Sequence, residues 1–186
     1  VLARLRYRAR ELVVPHCVGV FPPGYLGKVL MPGPNRIAGG SYSWEGTSDD
    51  LPVDEPAFGT SLHGFVTFQE WDIVEADSSS VLLRTLIAAR YSYPWTLVAT
   101  ARYSLDAGTG LDVELSATNI GSGTAPFGMG FHPYLTAGGA RADEMELTSH
   151  AGLAYEADEH MIPATAHPAD DLGLDFRSPR LIGSTS

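Results

Sequence analysis

Hydrophobic and polar residues alternate with a period of two along most of the readable chain, the signature of half-buried β-strands. The clearest case is residues 95–120. Leu97, Ala99, Ala101, Tyr103 and Leu105 alternate there with Thr96, Val98, Thr100, Arg102 and Ser104. Asp106-Ala107-Gly108-Thr109-Gly110 interrupts the pattern, and Leu111, Val113, Leu115 and Ala117 resume it against Asp112, Glu114, Ser116 and Thr118. This spacing predicts a β-hairpin with a Gly-containing turn. Residues 65–74 and 81–89 predict two further strands. At residues 1–12, Leu5 and Tyr7 oppose Arg4, Arg6, Arg8 and Arg10, which predicts a half-exposed strand. Residues 21–40 are rich in Pro and Gly and predict an ordered loop laid across the domain. Every candidate helix is interrupted by Gly, Pro or β-branched residues, and no fixed-period repeat is visible. The expected class is all-β, an antiparallel sandwich forming one domain over residues 1–186.

Composition narrows the functions this fold can serve. With 44% hydrophobic and 18% charged residues, the chain can bury a core and is not a disordered tail. Its formal net charge of −10 repels nucleic acid and anionic membrane surfaces, so neither is an expected partner. The four N-terminal arginines therefore read as a solvated strand face, not a nucleic-acid arm. Cys17, the single cysteine, excludes an internal disulfide, a thiolate zinc cluster and a CxxC centre. It sits beside His16 on extended chain, where adjacent side chains point apart, and reads as a buried spectator. No apolar run approaches the ~20 residues of a membrane helix, and no secretory core opens the chain, so a cytoplasmic protein is expected. The chain begins at Val1 and ends on Gly183-Ser184-Thr185-Ser186 with no strand to finish it, which predicts a fragment.

Two clusters carry candidate chemistry. His132 ends the run Phe127-Gly128-Met129-Gly130-Phe131, whose small residues let another backbone or a ligand come close, and Pro133 stops ladder pairing directly after it. Asn35 and Arg36 lie in Pro34-Asn35-Arg36-Ile37-Ala38-Gly39-Gly40, where an amide and a guanidinium offer donors suited to a polyhydroxylated ligand or a carboxylate. His63, in Leu62-His63-Gly64, is the third candidate. His150, His160 and His167 stand among Asp143, Glu144, Glu146, Asp158, Glu159, Asp170 and Asp171 but without an HxH, HExxH or EF-hand spacing, and that acidic third reads as solvated surface. No metal is expected. Ser61 lacks a GxSxG elbow, and no glycine-rich phosphate loop precedes a helix.

Taken in order, the motifs resemble the aldose 1-epimerase (galactose mutarotase) family. They are Pro34-Asn35-Arg36-Ile37-Ala38-Gly39-Gly40-Ser41-Tyr42, Leu51-Pro52 with Glu55-Pro56, Leu62-His63-Gly64-Phe65-Val66 ahead of Trp71, Gly130-Phe131-His132-Pro133-Tyr134-Leu135, and Leu174-Asp175-Phe176-Arg177-Ser178-Pro179-Arg180. The resemblance implies an antiparallel β-supersandwich, incomplete here, whose concave face holds one sugar of galactose or glucose type. It also implies an enzyme without a cofactor that interconverts hexose anomers by general acid–base ring opening. By motif, His132 would be the general acid, Arg36 and His63 would bind sugar hydroxyls, and Asn35 and Tyr134 would shape the pocket. Asp175 would be structural. The family's later sugar-binding Asp and its base Glu have no matching motif, so the base is expected beyond Ser186. A non-catalytic carbohydrate-binding protein on the same scaffold and a metal-dependent sandwich using His63 and His132 are the competing readings. A phosphorylated-sugar epimerase would need a cationic pocket, and Lys28 is the only lysine.

Overall fold

The computed structural model describes residues 1–183. Its strands are, in order, β1 (Arg6–Tyr7), β2 (Arg10–Glu11), β3 (Lys28–Leu30), β4 (Arg36–Ala38), β5 (Ser41–Trp44), β6 (Thr47–Asp50), β7 (Thr60–Leu62) and β8 (Asp72–Ala76). They continue with β9 (Ser80–Ile87), β10 (Leu97–Asp106), β11 (Gly110–Asn119), β12 (Gly130–His132), β13 (Glu146–Leu147), β14 (Leu153–Ala157), β15 (Pro163–Pro168) and β16 (Arg180–Leu181). Among the described residues the helical structure is three 3-10 turns of three residues each, Pro23–Tyr25, Val66–Phe68 and Ala142–Glu144. No helix there is long and apolar enough to cross a membrane. The all-β expectation therefore holds.

The chain forms two compact units, Val29–Phe131 and Val1–Lys28 with residues 132–183. It passes from one to the other within the short strands β3 and β12.

In the unit Val29–Phe131, β8 to β11 form a four-stranded antiparallel meander. The expected hairpin forms one edge of the sheet, β10 with the edge strand β11: Leu97 faces Asn119 and Asp106 faces Gly110 across an unbroken register. The Asp106 carboxylate accepts the amides of Gly108 and Thr109 at 2.8 and 2.9 Å, which fixes the turn. Alternation becomes burial along β10, where Leu97, Ala99 and Ala101 are buried and join Val29, Met31, Val66, Ile87 and Tyr93 in one core. Met31 and Ile87 are fully buried, each worth about 1.5–3 kcal/mol relative to exposure. The strands expected at residues 81–89 and 65–74 fare differently. β9 realises the first, but the second becomes the turn Val66–Phe68, with β8 beginning only at Asp72. The cause is tertiary. Gly64 lies at φ +71 with its missing Cβ 2.3 Å from the Met31 carbonyl oxygen, and that same oxygen accepts the amides of Phe65 and Val66. Extended chain could not bring both amides to one acceptor. The expected loop at residues 21–40 also contains two short strands, β3 and β4.

The other unit is built of small pieces. Residues 1–12 form a tight hairpin, β1 with β2, because Arg8 and Ala9 turn the chain at φ 46 and 67. The single expected strand is therefore folded on itself, with Arg4 pairing Glu11. β13 pairs β16 and β14 pairs β15, and Val13, Leu26, Ala169 and Phe176 are among its buried apolar residues. The acidic third is surface as expected: Glu144, Glu146, Asp158, Glu159, Asp170 and Asp171 are all exposed. Cys17 departs from expectation. It is exposed, on irregular chain just before the turn at Val18-Gly19, whose neighbours Val18, Gly19 and Val20 are exposed as well.

Candidate functional site

The strand pair β4–β7 sets Arg36 opposite Leu62, Ile37 opposite Ser61 and Ala38 opposite Thr60. Directly opposed residues share a face, so Arg36, Leu62, Ala38 and Thr60 lie on one side and Ile37 and Ser61 on the other. A cavity of about 320 Å³, lined by Ile37, Tyr42, Phe65, Tyr93 and Phe127 among others, opens on the Ile37 side. None of Asn35, Arg36 and His63 lines it.

One end of this pair is closed by a reciprocal contact. Asn35 precedes β4 and His63 follows β7, and both adopt left-handed backbone at φ +65. Both are residue types found there more often than most, yet each still costs on the order of 1–3 kcal/mol as a non-glycine residue. The surroundings hold them: the His63 amide donates to the Asn35 carbonyl at 2.9 Å, and the Asn35 amide donates to His63 Nδ1 at 3.1 Å. Nδ1 is thus an acceptor, so the neutral ring carries its proton on Nε2. The Asp54 carboxylate accepts the Leu62 amide at 2.8 Å and steadies the end of β7.

Arg36 is gripped by Glu55. Its Nε and Nη2 donate to the two carboxylate oxygens at 2.6 and 2.7 Å, and the Thr60 hydroxyl donates to Glu55 Oε2 at 2.7 Å. The Phe58 ring lies 5.2 Å from the guanidinium carbon. Hydrogen bonds from Arg36 first, then from Thr60, with the charge of Arg36, hold the Glu55 carboxyl below its ordinary value against the opposing push of burial. The bidentate pair is planar and charge-assisted, the geometry that fixes a guanidinium best. Sequence reasoning passed over this partner, because a carboxylate nineteen residues from an arginine has no periodic signature. Glu55-Pro56 appears among the family motifs, but nothing in that motif names Arg36 as its partner.

His132 and Tyr134 belong to the other unit. The His132 carbonyl accepts the Gly27 amide at 2.8 Å, and the half-buried ring lies 5.4 Å from the Tyr134 ring and 6.5 Å from the Tyr25 ring. Gly24 at φ +57 makes room for this group, since its missing Cβ would stand 2.8 Å from the Tyr134 hydroxyl. Tyr25 is a second residue that sequence reading missed. Among the described residues no three His, Cys, Asp or Glu side chains are placed to hold a metal ion. Asp175 pairs with its near neighbour Arg177 at 2.8 Å.

A model of the family described as Aldose 1-epimerase matches residues 9–186. The chain belongs to the aldose 1-epimerase family. It is 40% identical over 184 residues to the uncharacterized protein YihR of Escherichia coli (strain K12), covering 99% of this chain and 60% of that protein. It is 28% identical over 168 residues to the galactose mutarotase of Mus musculus, covering 86% of this chain and 47% of that one. The GalM/aldose epimerase homologue from C. elegans matches with a TM-score of 0.83 at 21% identity, over 93% of this chain and 55% of that one. The galactose 1-epimerase from Lactobacillus acidophilus NCFM matches with a TM-score of 0.80 at 22% identity, over 95% and 55%. The fold is accordingly all-β and of the galactose mutarotase-like kind. This aldose 1-epimerase chain spans 47% to 60% of the length of these relatives.

Proposed function

We propose that the protein carrying this chain interconverts the α and β anomers of a free hexose of galactose or glucose type, without a cofactor and in the cytoplasm. In this reading the 186 residues belong to one longer mutarotase domain. The observation that supports it most directly is the fixed pair of Arg36 and His63 at facing ends of β4–β7, in a chain of the aldose 1-epimerase family. His63, held with Nδ1 as acceptor, presents Nε2–H to a sugar oxygen. Arg36, gripped by Glu55, donates to ring-side hydroxyls, and Asn35 and Tyr134 shape the contact surface. His132 is the general acid. It protonates the ring oxygen while a carboxylate base takes the proton from the C1 hydroxyl; the C1–O5 bond breaks and an aldehyde forms at C1. Rotation about C1–C2 and the reverse proton transfers close the other anomer, so no atom or electron is gained or lost. Polarimetry on fresh α-galactose and α-glucose tests the reading. Acceleration above the spontaneous rate supports it, and sugar binding without acceleration would select the non-catalytic binding protein.

A further inference from the structure

We propose that Glu55 is a positioning and specificity-determining residue: by pairing with Arg36 it cancels the guanidinium charge and biases the site toward neutral sugars over anionic ones. The proposal rests on the reading of Arg36 as a sugar-binding residue. The geometry is that of a built pair. Both of its short bonds engage one edge of the guanidinium, and the side chains are only 19% and 17% exposed. Glu55 is itself anchored three ways: its amide donates to the Thr60 carbonyl, its carbonyl accepts the Thr60 amide, and its carboxylate accepts the Thr60 hydroxyl. Thr60 is fully buried, so the carboxylate cannot swing aside at low cost. Phe58 stands over the guanidinium and limits its rotation further.

Two consequences follow from elementary electrostatics. An isolated guanidinium in a half-buried site attracts a phosphate or carboxylate strongly, because the local dielectric is low. A carboxylate at hydrogen-bond distance turns that monopole into a dipole and adds direct repulsion toward an anionic ligand. Hydrogen bonding to neutral hydroxyls survives, since it depends on N–H groups whose directions the pair holds in advance. Glu55 thus trades general anion affinity for oriented donors.

The test compares galactose with galacturonate, the same ring bearing a carboxylate, by equilibrium binding to the full chain and to two variants. Glu55→Gln keeps the length and an acceptor but loses the charge, whereas Glu55→Asp keeps the charge on a shorter stem. The expected result is a shift of the galacturonate-to-galactose affinity ratio toward the anion by about tenfold or more in Glu55→Gln. Glu55→Asp should stay within about threefold of the parent ratio. A merely structural role predicts the opposite order, with Gln resembling the parent and Asp impaired, and that order, or an unchanged ratio, overturns the proposal. Should Glu55→Gln fail to fold, the parent protein still decides by nuclear magnetic resonance. Its Arg36 Nε–H should be resolved and slow to exchange at pH 7 and lose that protection on acidification; a signal like that of exposed arginines overturns the proposal. Failure of the parent to bind either sugar overturns the sugar-site reading itself, whereas retained galactose binding with an unchanged ratio overturns the role of Glu55 alone.

Discussion

His63 and His132 are both histidines at strand ends, yet their surroundings differ in kind. His63 is held by the backbone: a left-handed residue whose Nδ1 takes an amide hydrogen bond and whose own amide is returned to the same partner. His132 is held by aromatic rings, Tyr134 at 5.4 Å and Tyr25 at 6.5 Å, with ordinary strand backbone beneath it. A ring fixed in one tautomer is a good directional donor and a poor proton shuttle, since shuttling needs a nitrogen that can both lose and regain its proton. The difference teaches that the distinct roles proposed for these two histidines rest on their surroundings and not on residue type.

The largest effect expected from this contrast lies in catalysis. In the whole protein, His132→Asn should lower the mutarotation kcat by about 10²–10⁴, the usual size of a general-acid contribution, while far-UV circular dichroism stays unchanged. His63→Ala should act chiefly on KM, raising it roughly tenfold for the loss of one directed hydrogen bond. Equal losses of kcat at the two positions would break the distinction.

Stability separates the two neighbourhoods next. Arg36→Ala leaves the Glu55 carboxylate half-buried with only Thr60 to satisfy it, and denaturant unfolding should register a loss of about 2 kcal/mol. A change within error would mean that water reaches the carboxylate freely.

Acid should erase part of that cost. Because Arg36 holds the folded Glu55 carboxyl below its unfolded value of 4.5, the pair's contribution is fully present above about pH 4.5 and is lost as pH falls through the lowered folded value. The stability gap between the parent and Glu55→Gln should therefore be constant from pH 7 to about pH 5 and shrink below it. A gap that widens on acidification would contradict the assignment. The smallest effect belongs to an exposed histidine outside both groups: His150→Ala should leave activity unchanged and stability within about 0.5 kcal/mol.

The parts of the fold that could be read from the chain are those whose partners are close in sequence. The β10–β11 hairpin is the example, because alternation, a Gly-containing turn and the Asp106 side chain all act within twenty-six residues. Residues 65–74 show the opposite. Their aromatic alternation suggests a strand, but Met31 draws the amides of Phe65 and Val66 to one carbonyl and turns the segment. At residues 1–12 the arginine alternation likewise hid a hairpin, since nothing in Arg8-Ala9 advertises left-handed backbone. At the site, Asn35, Arg36, His63, His132, Tyr134 and the Glu55-Pro56 step stood out by motif, while the pairing of Glu55 with Arg36, and Thr60 and Tyr25, did not.

By itself, then, the sequence determined the all-β class, the β10–β11 hairpin, the acidic surface and the family, because period-two patterning and motif order are local or additive properties of the chain. Tertiary structure alone decided which carboxylate neutralises Arg36, which nitrogen of His63 keeps its proton, and where the strand pattern gives way to a turn. Each of these depends on a contact between residues far apart in sequence, whose energy is gained only after the intervening chain has paid the entropy of closing, and no spacing rule along the chain encodes that outcome.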